Sequence, residues 1–136
     1  MSEHDTQKAF FQWARLRPLT NRAYAIPNGG ARHIAVAAKL KAEGARKGVL
    51  DVCLPVPRAG IPGLYIEFKH GAGTLSPEQQ LEAQALAADG FAVLVCWDAQ
   101  TAIDQVSLYL RGSGRSGIQS FKPVRPRQLA KRKTAP

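Results

Sequence analysis

The sequence predicts an α/β domain, a mixed β-sheet flanked by helices in the order α β α β β α β α. Three observations carry this. The runs Val49 to Leu54 and Leu64 to Lys69 are strand-like, and the segment between them, Pro55 to Gly63, is too rich in Pro and Gly to be anything but a connection. Its length suits an antiparallel pair. Phe91 to Trp97 is a near-continuous apolar run of the kind found in strands buried on both faces. Two helix starts are also written out, Ser2-Glu3-His4-Asp5 and Ser76-Pro77-Glu78-Gln79, each with a hydroxyl at the N-cap and a partner three residues on.

The elements follow in order. The first capping box opens a helix from about Glu3 to Arg17, closed by Pro18, with Glu3, Gln7, Phe10 and Ala14 on one stripe. Ala23 to Ile26 is a short strand, and Pro27-Asn28-Gly29-Gly30 a turn. An Ala-rich helix spans about Arg32 to Glu43 and stops at Gly44. After the strand pair, Gly71-Ala72-Gly73 breaks the chain before a helix that starts with Pro77 in its first turn and runs to about Asp89. The strand at Phe91 to Trp97 and a helix from Ala99 to Leu110 complete the domain, residues 1–110. Beyond it, residues 111–136 are basic and rich in Gly and Pro, a composition expected of a flexible tail.

Composition narrows the function. With 45% hydrophobic residues the 136-residue chain can build a core, which excludes disorder throughout. No apolar run reaches the roughly 20 residues that span a bilayer, and the polar start MSEHDTQK is not expected to be a signal peptide. Cys53 and Cys96 lie in apolar runs without a CxxC pattern, so they read as core residues of a reduced, cytoplasmic protein. The net charge of +9 points to nucleic acid or an acidic membrane surface, the latter disfavoured because residues 111–136 show no sustained amphipathic pattern, and the charge is unevenly spread. Residues 1–50 carry +6, residues 51–110 carry −5, and the tail carries +8. The acidic middle asks for another explanation.

Strand geometry supplies a candidate. On Leu64 to Lys69, Leu64, Ile66 and Phe68 share one face, and Tyr65, Glu67 and Lys69 the other. Asp51 interrupts the apolar run of the partner strand, where a carboxylate is costly unless it is paired or binds a cation. Antiparallel pairing can bring Asp51 to Glu67. One reading is a Mg²⁺ or Mn²⁺ site built from Asp51, Glu67 and the Phe68 backbone carbonyl, with Lys69 assisting a phosphodiester hydrolysis. The other is a cross-strand ion pair of Lys69 with either acid. Glu3 is open in the same way, as a group reaching that site or as a first-turn acid facing the helix dipole. Gln79 touches the site or merely completes the capping box of Ser76. His70 meets phosphate or is an ordinary loop histidine. Arg32, Lys39, Lys41, Arg46 and Lys47 are candidates for DNA backbone contacts, or a solvated surface.

The blocks Ser2 to Gln7, Ile26 to Arg32, Glu43 to Asp51, Gly63 to Lys69 and Leu75 to Gln79 together resemble the VRR-NUC domain. That is a branch of the PD-(D/E)XK nuclease superfamily, found standing alone in phages and bacteria. The resemblance covers roughly residues 2–110 and implies a restriction-endonuclease-like core and metal-dependent phosphodiester hydrolysis. For standalone members it implies homodimers similar to Holliday-junction resolvases, acting on branched DNA. It assigns catalytic positions to Glu3, Asp51, Glu67, Lys69 and Gln79. Leu50 stands where that family usually has proline, a change that leaves the ligands in place. The rival from another class is a DNA-binding module that holds nucleic acid on its basic surfaces and tail without cutting it.

Overall fold

A computed structural model describes residues 1–27 and 34–112. The predicted helix start at Arg32, the Asn28-Gly29-Gly30 turn and the tail beyond Gly112 lie outside the described residues. The elements are α1 (Glu3–Ala14), a short 3-10 turn (Thr20–Arg22), β1 (Tyr24–Ala25), α2 (Ile34–Ala42), β2 (Val52–Leu54), β3 (Leu64–Phe68), α3 (Pro77–Ala88), β4 (Ala92–Cys96) and α4 (Ala99–Leu110). The four strands form one sheet in the order β1-β2-β3-β4. The first two pairings are antiparallel, and β3 and β4 run parallel, joined through α3. The described part is the mixed sheet with helices on both faces that the sequence predicts. Among the described residues, no helix is long and apolar enough to cross a membrane.

Strand alternation divides the interior into two layers. Val52, Leu54, Leu64, Ile66, Phe68, Ala92, Leu94 and Cys96 meet Phe10 and Ala14 of α1 and Ala102, Val106 and Tyr109 of α4. On the other face Val93 packs with Leu50, Leu75 and Ala83 beneath α3, with Tyr65 and Val95 alongside. The Tyr109 hydroxyl donates to the carbonyl of Val56, at 2.6 Å, and ties the long β2–β3 connection to α4. Cys53 and Cys96 are buried free thiols, and burial pushes the Cys96 thiol up to about 12.

Strands β1, β3 and β4 are slightly shorter than the runs that predict them, and two boundaries differ more. Helix α1 ends at Ala14 because the next turn tightens, with Leu16 N–H donating to Trp13 and Arg17 N–H to Ala14. Its buried stripe is Thr6, Phe10 and Ala14, and Gln7 is only partly covered. Strand β2 starts at Val52, three residues later than Val49, because Asp51 meets β3 through its side chain. The Phe68 N–H donates to Asp51 Oδ2 at 2.8 Å, so Val52↔Ile66 is the last β2 ladder pair on this side.

Gly48 explains how the segment before β2 lies so close to α3. Its φ is +94°, and an added Cβ would stand 2.8 Å from the Glu78 Cβ and 2.9 Å from the Glu78 backbone. Arg46 and Lys47 pair with Glu82 and Glu78 across this contact, at 2.7 and 3.5 Å. Gly48→Ala adds both a steric clash and a left-handed backbone to an L-residue, and is expected to cost about 3 kcal/mol. Urea denaturation checks this, and a midpoint equal to wild type would contradict the close approach.

Candidate active site

Glu67 and Lys69 lie on the α3 side of β3, where the sheet's C-terminal strand ends meet the start of that helix. The helix start is fixed by local chemistry. Gln79 N–H donates to Ser76 Oγ at 3.1 Å, and Ser76 N–H donates to Gln79 Oε1 at 2.9 Å. With its oxygen held by the cap, the Gln79 amide can present only one orientation to β3. Lys69 Nζ donates to the same Oε1 at 2.8 Å, and Gln79 Nε2 donates to Glu67 Oε2 at 2.9 Å. Lys69 Nζ closes the triangle, 3.3 Å from Glu67 Oε2. Both readings of Gln79 therefore hold at once: it completes the capping box and it touches the acid and the base.

The second carboxylate comes from β2. One step beyond the last ladder pair, Asp51 stands opposite Glu67, and its Oδ2 is fixed by the Phe68 N–H. In extended backbone the N–H and C=O of one residue open to the same edge of the strand. The Phe68 carbonyl therefore opens toward the Asp51 edge as well.

Glu67 is the most deeply buried ionisable group of the site. It is 2% exposed, and its Oε1 is buried with no hydrogen-bond partner. Burial pushes its carboxyl from the usual 4.5 up to about 8; the Asp51 carboxylate adds to this, Lys69 opposes it, and Glu3 adds a smaller push. The influence of Glu3 places the start of α1 within electrostatic reach of the site. The helix is held there by Thr6 and Phe10, the Phe10 ring lying 5.8 Å from that of Phe68. Asp5 caps the helix, its Oδ2 accepting from Ser2 N–H and Oγ at 3.1 and 2.8 Å, which leaves the exposed Glu3 without that duty.

The donors suit a hard cation. Two carboxylates, Asp51 and Glu67, stand beside one buried ammonium, and one oxygen of Glu67 is buried without a hydrogen-bond partner. Among the described residues no three or more His, Cys, Asp or Glu side chains cluster as a metal site. Mg²⁺ does not require such a cage, since it commonly takes one or two carboxylates and keeps several waters. The residues present fit Mg²⁺ or Mn²⁺.

The other candidates are spread more widely. His70 is exposed just past Lys69, and Lys39 and Lys41 are exposed on the last turn of α2. Arg46 and Lys47 spend their charges on α3, although their side chains remain 62% and 81% exposed. Arg32 lies outside the described residues. A cleft of about 330 Å³ beside α2, lined by Ile26, Pro27, Leu40 and Arg46 among others, contains none of the five predicted catalytic residues. Sequence reasoning took Ser76 as a helix cap only, and passed over Trp97, whose Nε1–H donates to the Gly73 carbonyl at 3.0 Å beside the site. The signal for Trp97 was available: a large aromatic at the end of an otherwise buried strand.

Comparison with known proteins identifies the family and the fold. The model of the VRR-NUC domain matches residues 1–99. A solved structure described as "VRR_NUC domain protein" superposes with a TM-score of 0.70, covering 90% of this chain and 98% of its own at 23% identity, which shows the same fold. No curated protein matches. The matched segment holds the buried Glu67–Lys69–Gln79 triangle, Asp51 and Glu3, and the chain belongs to the VRR-NUC domain family, a family of nuclease type.

Proposed function

We propose that the protein is a Mg²⁺- or Mn²⁺-dependent endodeoxyribonuclease selective for branched DNA, similar to Holliday-junction resolvases. The observation that carries this is the unpartnered Glu67 Oε1, buried opposite Asp51. Leaving a carboxylate oxygen so buried is costly, and a cation between the two acids removes the cost. Asp51, Glu67 and the Phe68 carbonyl would hold the ion. When bound, it polarises the scissile phosphate and makes a coordinated water more acidic.

The chain's own groups do the rest. Gln79 and Glu67 grip two sides of the Lys69 ammonium, which leaves its remaining N–H for the attacking water or a phosphate oxygen. Glu3 lies at the rim as a base or an outer ligand. Water attacks phosphorus in line, and the products carry 5′-phosphate and 3′-hydroxyl ends. A homodimer would set two such sites on opposing strands, as symmetric junction cleavage requires. Helix α2 supports a partner copy: it has no buried residue, and Ile34 and Val36 are 85% and 45% exposed. The buried free thiols support a reducing compartment, the cytoplasm of a bacterial or phage-infected cell.

The test compares a synthetic four-way junction, a flap and plain duplex, with Mg²⁺ and then Mn²⁺. The junction or flap is expected to be cut in preference to duplex, and chelation to stop cutting. Equal cutting of duplex and junction would remove the structural selectivity. Protein that binds junctions yet cuts nothing with either ion would instead be the DNA-binding module.

A further inference from the structure

We infer that Trp97 stacks on an unpaired nucleobase next to the scissile phosphate, making single-stranded or splayed DNA the segment this site grips. The inference rests on nucleic acid being the substrate and goes on to name which part of it the protein holds. Three observations carry it, beginning with place. The β3–β4 ladder runs parallel to Phe68↔Cys96, and Lys69 N–H donates to the Cys96 carbonyl at 2.9 Å. Trp97 follows Cys96 directly, so it leaves the sheet at the same end as Lys69, one strand over.

Orientation comes next. Alternation along β4 puts Val93 and Val95 on the α3 side, and Trp97 follows the same parity. The indole Nε1–H confirms this by donating to Gly73, in the loop that leads from Lys69 to the start of α3. Trp97 thus borders the face that carries Glu67, Lys69 and Gln79.

Exposure is the third. A tryptophan is among the most covered residues of a folded protein, yet Trp97 is 47% exposed. Its only polar atom is already satisfied by Gly73, so what it offers to solvent is aromatic surface on a ring already held in position. A held ring loses little freedom on binding, and every base has a face to match it. The neighbouring Asp98 would repel phosphate, but it is turned to cap α4, accepting from Thr101 N–H at 2.7 Å and Thr101 Oγ1 at 3.0 Å. Bases inside a duplex are stacked on each other and are not available to the ring. Those at a flap or junction are.

The experiment follows binding in EDTA, so that no cleavage is needed. The probes are a short single-stranded oligodeoxynucleotide and a blunt duplex of the same sequence. In a Trp13→Phe background Trp97 is the only tryptophan, and its emission is expected to be quenched by the single strand much more than by the duplex. By fluorescence anisotropy in the otherwise native chain, Trp97→Ala is expected to weaken single-strand binding about tenfold or more. Trp97→Phe, which keeps an aromatic face but loses the bond to Gly73, is expected to retain most of the affinity. Equal affinity of Trp97→Ala and wild type, with unchanged emission, would overturn the inference. So would a Trp97→Phe as weak as Trp97→Ala, which would make the indole a clamp on the loop. Cleavage assays on the same protein separate the two claims. Quenching without cutting under any ion leaves the stacking intact and removes the nuclease reading, and cutting without quenching does the reverse.

Discussion

Lys69→Ala is expected to lower the rate of DNA cleavage by about 10³-fold while leaving junction binding within a few-fold of wild type. The ammonium is 11% exposed and is held by Gln79 Oε1 at 2.8 Å and Glu67 Oε2 at 3.3 Å, so no neighbouring cation can replace it. Its loss acts twice. The charge that builds on the phosphate oxygens goes uncompensated, and Glu67 loses the positive charge that favours its ionised form. A phosphate-binding surface spread over many residues is barely altered by removing one buried charge. Single-turnover cleavage of a junction, with binding measured in parallel in EDTA, reads both quantities. Lys69→Arg is expected to fail nearly as badly, because a planar fork does not fit a slot shaped around a compact ammonium. Cleavage by Lys69→Ala at the wild-type rate would reduce the Glu67–Lys69 contact to a structural ion pair.

The second large effect concerns stability. Without metal, Glu67 ionises near pH 8 in the folded protein and near its usual 4.5 when unfolded. Below 4.5 the group is protonated in both states and exerts no pull. Between 4.5 and 8 the unfolded chain gives up the proton and the folded one keeps it, so stability falls as pH rises through this window. The fall ends above pH 8, with a ceiling of about 5 kcal/mol. Glu67→Gln removes the titration, and the difference in unfolding free energy between variant and wild type is expected to grow from pH 4.5 to 8 and then level off. Mg²⁺ or Mn²⁺ needs the ionised carboxylate, so either ion is expected to raise the Tm of wild type at pH 8 and above, and not that of Glu67→Gln. Thermal melts across pH, with and without the ion, check both statements. A pH-independent difference would show that burial does not hold the Glu67 proton, and equal stabilisation of both proteins by Mg²⁺ would show that Glu67 does not hold the ion.

Much of this site could be read before any coordinates. Glu67 and Lys69 share a face because side chains alternate along a strand, and that period is a local property of the backbone. Ser76 and Gln79 lie within one turn, so their capping box is local too. The pairing of Asp51 with Glu67 needed only the antiparallel hairpin that the Pro- and Gly-rich connection implies. Where expectation and structure parted, distance along the chain was the reason. Asp51 was expected inside β2, but its side chain takes the Phe68 N–H and ends the ladder one residue later. Gln7 was placed on the buried stripe of α1, whereas Thr6 occupies it, because the stripe is set by what α4 and β3 present to the helix. Arg46 and Lys47 looked like free basic groups until α3 brought Glu82 and Glu78 against them.

The sequence by itself determined the order of helices and strands, the face on which the acid and the base sit, and the helix start that holds Gln79. Each follows from spacings of two to four residues, over which backbone geometry leaves little choice. Only the tertiary structure decided which partner each polar group takes. Gln79 had a cap, an acid and a base within its possible reach, and packing of α3 on the sheet lets one amide serve all three. The same packing shields Glu67 from water and leaves Oε1 with no donor. Burial is a property of segments far apart in the chain meeting in space, and the unpartnered oxygen on which the proposed cation site rests arises only there.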